Sequence, residues 1–492
     1  MISEHFRGVA LRYRDEVAII DGDQRISYGE LLERVQSARE WLGRTLEPQP
    51  GDVIAVSLDN SWQFVACFFA VSELGCALMP CNPQWRAVEL RAFAARLGFR
   101  SGVIEPRFTT EWDQLSDVVP NNRVLTAGRV PAQGKTAATS SPTPIESITE
   151  DAPVLYLSTS GSTGAPRLVP RSHRNLLRTV ESVASSLNIG PGRRLLSVVP
   201  YHYSNGINNS LMVPLLSGAA VVMMRQFNPG ACAELVHREQ ANTLFGSPFI
   251  YGCLVECDSA LLSSLRYCFS TGGRIPSSVV ERWRDRLGPT LGQSYGLSES
   301  GMIAAERSGQ KPVSSLGASV GQPLRGVEVV VLPADGLPAE HQRLEPGEIG
   351  ELAIRSASVM SGYFGEPELS RSLFHEGFFR TGDLGCIDSA GNLHLTGRLG
   401  RVLNIAGVKV DPVEVERVVE TLPNVESCHV DAVPNGRGGD VIRARVVPRQ
   451  GLPVTRRDVI EQCRRQLAEY KFPRIIEFLE ATPITMAGKI RR

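Results

Sequence analysis

Ser158-Thr159-Ser160-Gly161-Ser162-Thr163-Gly164-Ala165-Pro166-Arg167 packs hydroxyls and glycines into one short loop directly behind the apolar run Val154–Leu157. Glycines let backbone N–H groups turn toward an anion, and Ser and Thr hydroxyls donate further hydrogen bonds without bulk. A flexible Ser/Gly linker would not sit behind a strand and close on a fixed Pro-Arg. The loop is not a Walker P-loop, because no Gly-Lys-Ser/Thr closes it. It reads as a cradle for polyphosphate on an α/β scaffold.

Outward from this loop, the strand-like runs Val53–Leu58, Leu195–Val199 and Ala219–Met224 alternate with helical patterns, which favours helix-covered parallel sheets. Ser27 and Glu30 have capping-box spacing, and Leu31, Leu32, Val35, Ala38, Trp41 and Leu42 then recur on one helical face that should pack on a sheet. From Thr126 to Ser147 the chain turns rich in Ala, Ser, Thr, Pro and Gly, the composition of a mobile surface connection. After Thr396-Gly397-Arg398 a compact βαββα-like tail begins, with helices expected behind Asp411-Pro412 and behind Thr455, where Asp458 completes a capping box. The fold class is α/β: a large N-terminal region of helix-covered sheets plus a small α+β C-terminal domain.

The 492 residues exceed one core of about 100–200 residues, so several packed units are expected. Lys+Arg and Asp+Glu both number 52, leaving no net field to draw in nucleic acid or an anionic membrane. The apolar stretches Phe64–Pro80 and Leu211–Met224 are too short or too interrupted to span a bilayer. Met1–Tyr13 lacks a signal-peptide core, and the carboxyl end is no peroxisomal address. Ten scattered cysteines with one close pair, Cys253 and Cys257, suggest reduced thiols and a cytoplasmic setting rather than a metal site. A small-molecule substrate is the expectation.

Four more motifs follow the loop in order: Tyr295-Gly296-Leu297-Ser298-Glu299, Arg380-Thr381-Gly382-Asp383, Gly397-Arg398 with Gly407, and Pro483 through Gly488-Lys489. With them the chain resembles, over nearly its whole length, the adenylate-forming superfamily of acyl- and aryl-CoA ligases, carrier-loading adenylation domains and beetle luciferases. The resemblance implies a core over residues 1–397, a hinge at 398–400 and a C-terminal lid over 401–492 that rotates between half-reactions. It implies ATP binding by Thr159, Ser160, Gly161, Ser162, Thr163, Gly164 and Arg167, with Gly273, Arg274, Gln293, Ser294, Tyr295, Gly296 and Ser298 around adenine and the α-phosphate. Glu299 would hold Mg²⁺ as a hard oxygen ligand, Asp383 the ribose hydroxyls, and Arg398 a further ribose or phosphate contact. Lys489 would carry adenylation by screening two anions that must meet. Gly400 is the implied pivot, where Asp or Lys is usual, and Gly407 and Val408 would border the thiol tunnel. Arg167 stands where the family has Lys, and Ser298 where it has Thr.

The segment Pro200-Tyr201-His202-Tyr203-Ser204-Asn205-Gly206 lacks the aspartate with which amino-acid-activating relatives pair a substrate ammonium. It resembles ligases of neutral acids, with His202 as the gate and Tyr201, Tyr203, Ser204, Asn205 and Gly272 as acid-pocket walls. The expected reaction is ATP-dependent formation of an acyl-AMP from a carboxylic acid, best a small aryl acid, followed by thioester formation with coenzyme A. A separate carrier protein's phosphopantetheine is the alternative acceptor, and a non-catalytic scaffold of the same fold the remote one. Arg401, Lys409, Arg437 and Lys471 are candidates for a basic patch that meets the CoA nucleotide.

Overall fold

A computed structural model describes the chain apart from residues 121–122, 132–147, 160–166, 274, 276, 289, 307–317, 334–342, 400–402, 406–407, 411, 436–438, 450–451 and 480–492; at 129, 277, 278, 318, 397, 398, 404, 409, 413, 417, 426 and 427 it describes backbone alone. The expected connection over 126–147 falls largely outside these residues. Inside them, sheet topology and strand alternation set the layers.

One sheet of nine strands runs in parallel through Val17–Asp21, Ala220–Met223, Arg194–Ser197, Thr243–Gly246, Tyr267–Ser270 and Leu291–Leu297, with antiparallel strands at its two ends. A second, of six strands, is built on Val53–Ser57, Ala77–Pro80, Ser101–Ile104 and Pro153–Thr159. Successive strand residues point to opposite faces. Ile19, Leu195, Val221, Phe245 and Phe269 therefore join Ile54, Val56, Leu78 and Leu155 in one continuous core, while their neighbours Ile20, Leu196, Val222, Leu244 and Cys268 build another under helices Pro229–Glu239, Pro248–Leu254 and Ser277–Leu287. Val53, Ala55, Ala77 and Met79 face a third core beneath helix Ala87–Leu97. Two sheets thus share a middle layer of helices and each carries an outer one.

Helix Tyr28–Leu46 lies in that middle layer. Its Ser27 and Glu30 form the reciprocal cap that their spacing predicts, and Leu31, Leu32, Val35, Ala38 and Leu42 are buried. Helix Trp62–Glu73 beside it is apolar all round because helices and a sheet enclose it. A third, antiparallel sheet contains Glu328–Leu332, Gly350–Arg355, Phe378–Ile387 and Leu393–Arg398.

The tail is ββαββαβ rather than βαββα: hairpin Leu403–Ile405/Val408–Val410, helix Pro412–Glu420, strands Val425–Pro434 and Asp440–Pro448, helix Arg456–Gln466 and strand Ile475–Phe478. The added strands are three or four residues long, too short for alternation to register. Thr455 and Asp458 cap the second helix as expected. All ten cysteines are unbridged, and eight are buried.

Candidate functional site

The expected phosphate loop joins Thr159, at the end of strand Pro153–Thr159, to Arg167, which opens strand Arg167–Ser172; the two residues pair across an antiparallel hairpin. Ser160, Gly161, Ser162, Thr163 and Gly164 lie outside the described residues. Arg167 sits over the Tyr363 ring at 5.2 Å and 3.8 Å from Glu366. The Tyr363 hydroxyl donates to Glu299 Oε1 at 2.6 Å. Burial and the adjacent carboxylate push this phenol well above its ordinary range, so it remains a donor.

Glu299 is placed by a hairpin. Strand Leu291–Leu297 turns into Gly301–Ala305, and a Cβ on Gly296 would lie 2.7 Å from the Gly301 carbonyl oxygen, so the close crossing requires glycine. Beneath the turn, fully buried Arg171 donates to Ser298 O at 2.6 Å, Ser358 O at 2.9 Å and Thr179 Oγ1 at 3.0 Å. Burial pulls its guanidinium down to about 10, opposed by the charge of Glu299, so it stays a cation at neutral pH. The phosphate-loop terminus, the proposed metal ligand, Arg171 and Tyr363 form one cluster.

Asp383 follows a tight turn at Gly382, φ +72°, held by Glu351, which accepts from Arg380 Nε at 2.7 Å and Gly382 N at 3.1 Å. Tyr295 OH donates to Asp383 Oδ2 at 2.6 Å, which places the Tyr-Gly motif against the Thr-Gly-Asp motif across 88 residues. Asp383 also pairs in strand register with Arg398, whose side chain lies outside the described residues. Gln293 commits its Nε2 to Ser319 O and Ser294 its hydroxyl to Ser270 O, so both brace the scaffold.

A cavity of about 340 Å³ lies beside this cluster. Its phosphate-side wall contains Thr159, Gly272 and Gly296–Ser298; His202, Tyr203, Ser204 and Asn205 form another wall; Phe227, Phe249 and Ile250 close the far side. Gly273 is not among its lining residues. Tyr201 is a correction. It is 1% exposed, its ring is 5.0 Å from Phe64, and Ser197 Oγ donates to its hydroxyl, so it faces the core. His202 and Tyr203 do line the cavity, their rings 4.1 Å apart. Tyr203 is the one that feels Tyr470 and Lys471 of the C-terminal domain.

That domain closes the remaining side. Ala468 and Tyr470 join the apolar core around Trp85 and Phe93, and Val408 lines the cavity. Lys471 is a second correction: no exposed cation, it is buried with its Nζ 2.9 Å from Glu89 and 2.8 Å from Glu414. Burial pulls its pKa down, but Tyr470, Glu414 and Glu89 outweigh it and hold the ammonium above the ordinary lysine value. One carboxylate comes from each domain, so Lys471 rivets them together. Lys489, Gly400, Gly407, Arg274, Arg401 and Arg437 lie outside the described residues, as does the Lys409 side chain.

Enclosure lowers His202 to about 3, and burial together with the N-terminal ammonium lowers His173 to about 4. Both are neutral in the folded protein, whereas an unfolded histidine takes up a proton near 6.5. The unfolded state therefore gains protons first as pH falls, and stability is lost from about 6.5 down to the folded values, at most about 1.4 kcal/mol per pH unit per group. Denaturant midpoints at pH 7 and 4.5 should differ less in His173→Gln than in the parent; an equal difference would remove His173 from this account.

Residues 6–364 match the AMP-binding enzyme family, and residues 414–489 match the AMP-binding enzyme C-terminal domain. A feruloyl-CoA synthase of Amycolatopsis sp is 30% identical over 478 residues, covering 96% of this chain and 94% of its own length. A medium-chain fatty-acid-CoA ligase of Escherichia coli (strain K12) is 28% identical over 519 residues, covering 100% and 89%. Among solved structures, an amide bond synthetase from Marinactinospora thermotolerans superposes with a TM-score of 0.87 at 29% identity, covering 99% of this chain and 97% of that one. With both family regions matched in order and the relatives spanned nearly end to end, the chain belongs to the AMP-binding enzyme family.

Proposed function

We propose that this protein converts a compact aryl carboxylic acid to its acyl-adenylate with ATP and transfers the acyl group to the thiol of coenzyme A. The observation that carries the reading is one shared cavity, bounded by Thr159 and Gly296–Ser298 on one side, by His202, Phe227 and Phe249 on another, and by Val408 of the C-terminal domain on a third. Acid, nucleotide and thiol can converge there. About 340 Å³ with aromatic walls suits a ring-bearing acid. Feruloyl-CoA synthase among the relatives supports the aryl choice.

In the first step a carboxylate oxygen attacks the α-phosphorus of ATP, the bond to the β-phosphate oxygen breaks, and pyrophosphate leaves. Arg167 supplies positive charge where the phosphate loop closes, and Asp383, oriented by Tyr295, accepts from the ribose diol. Lys489 is assigned the cation between carboxylate and α-phosphate. In the second step the thiol sulfur attacks the acyl carbon, AMP leaves with the C–O bond electrons, and the thiol proton passes to solvent. His202, neutral at working pH, and Tyr203 line the path between the acid and Val408.

Magnesium fits the donor chemistry. Glu299 is a hard carboxylate held by Tyr363, and among the described residues no three His, Cys, Asp or Glu gather into a protein cage, so phosphate oxygens and water would fill the shell. When bound, the ion neutralises charge on the departing pyrophosphate.

Pyrophosphate release should be measured with ATP, Mg²⁺ and a panel of aryl, short and medium acids, with and without CoA. Sustained turnover of an aryl acid only with CoA is expected. A single turnover that CoA does not relieve, but an amine or a carrier protein does, would sink the assignment of the acceptor.

A further inference from the structure

Residues Gly206–Met212 wind as a π-helix, a rare geometry found frequently at functional sites. Gly206 starts it because a Cβ there would lie 2.2 Å from the Pro200 carbonyl oxygen. Two successive residues of this segment, Asn208 and Asn209, both line the cavity although they are 1% and 5% exposed. Each spends its amide nitrogen on the residue four earlier: Asn208 Nδ2 donates to Ser204 Oγ at 3.0 Å, and Asn209 Nδ2 to Asn205 Oδ1 at 2.9 Å. Those bonds fix both amides and leave both Oδ1 atoms buried without a hydrogen-bond partner. Native interiors rarely leave buried acceptors unpaired, so each such atom calls for a partner that completes the bond.

The charges of the cavity narrow the ligand further. Among its described lining residues Lys471 is the one cation, and it is already held between two carboxylates. Among these described residues a second carboxylate on the substrate would find no free positive charge. A neutral hydrogen-bond donor would meet two lining residues whose amide oxygens have no partner. We propose that Asn208 and Asn209 select acids whose ring or chain carries a hydroxyl or amino substituent, which donates to their Oδ1 atoms. This rests on the acid-activation reading above and names the substituent that the pocket reads. A site built to bond a substrate hydroxyl rejects the analogue lacking it, because its own buried groups are then left unpaired.

The test compares kcat/KM for pyrophosphate release by the intact protein across matched acids: cinnamate with its 4-hydroxy, 4-amino and 4-methoxy forms, and octanoate with 8-hydroxyoctanoate. Methoxy matches hydroxyl in position but cannot donate. In whichever series is turned over, the donor-bearing acid should exceed its parent by at least about tenfold, and methoxy should side with the parent. Asn208→Leu and Asn209→Leu should each bring that ratio toward one, and calorimetric binding of the same acids should follow it. Turnover confined to the octanoate series would overturn the aryl reading while 8-hydroxyoctanoate still judged the asparagines. Equal turnover of parent and donor-bearing acids in the wild-type protein would overturn the asparagine assignment, whether or not the variants fold. Silence in both series would overturn both.

Discussion

Replacing Lys471 by Met should slow thioester formation about 100-fold while pyrophosphate release in the first half-reaction stays within about threefold of the parent. The ammonium lies between Glu89 of the large domain and Glu414 of the small one, all three side chains largely buried. Removing one member of a buried ion pair costs about 3–5 kcal/mol, because the remaining charges cannot return to water. Here two carboxylates would be left facing each other, and Glu89 is already pushed toward its protonated form by burial that Lys471 opposes. The penalty applies only to the domain arrangement that brings these groups together, in which Val408 lines the cavity. On the proposed reaction Lys471 would be a positioning residue for the thiol step, and the separation of half-reactions would be its signature. Glu89→Gln, which weakens only the leg between domains, should shift the same step in the same direction by less. Equal losses in both half-reactions would mean that the rivet does not distinguish the two arrangements.

Arg171→Met should abolish measurable adenylation and lower stability by about 3–5 kcal/mol. The guanidinium has no exposed surface and satisfies Ser298 O, Ser358 O and Thr179 Oγ1. Methionine fills the volume but leaves three acceptors unmet, two of them in buried bonds, and removes the positive charge facing Glu299. Glu299 would then lose the support that aims it. Arg171→Lys keeps the charge without the planar fork and should fall between the two. Urea unfolding combined with pyrophosphate release checks both parts; a variant that keeps its midpoint and its rate would show that Arg171 is dispensable to the site.

Local chemistry in the sequence announces much of this molecule. Ser27 with Glu30 and Thr455 with Asp458 mark helix starts because a cap is decided within four residues. Glu299 is legible from its motif, and it sits in the turn of a hairpin whose first strand carries Tyr295 and Gly296. The contacts that organise the site are different in kind. Arg171 reaches residues 127 and 187 positions away, Tyr363 reaches Glu299 across 64, and Lys471 reaches Glu89 across 382. No periodicity encodes such pairs, so neither Arg171 nor Tyr363 stands out in the sequence, and Lys471 reads as a surface cation. Tyr201, His202 and Tyr203 show a second limit. In an irregular turn adjacent residues follow neither a 2.0 nor a 3.6 repeat, so composition predicts an aromatic wall without predicting which ring faces inward. The asparagines were hidden likewise, since a π-helix has no sequence pattern to betray it.

The cysteines equip the protein for spectroscopy. Eight of ten thiols are buried, and burial raises the pKa of Cys67, Cys81 and Cys268 to about 12, which keeps them from thiol-directed dyes. Cys253 and Cys257 alone are partly open to solvent, and Cys253 shares helix Pro248–Leu254 with Phe249 and Ile250, which line the cavity. A maleimide fluorophore should therefore attach to this one neighbourhood without a cysteine-free background, and would sit one helical turn from Phe249 and Ile250 of the cavity wall.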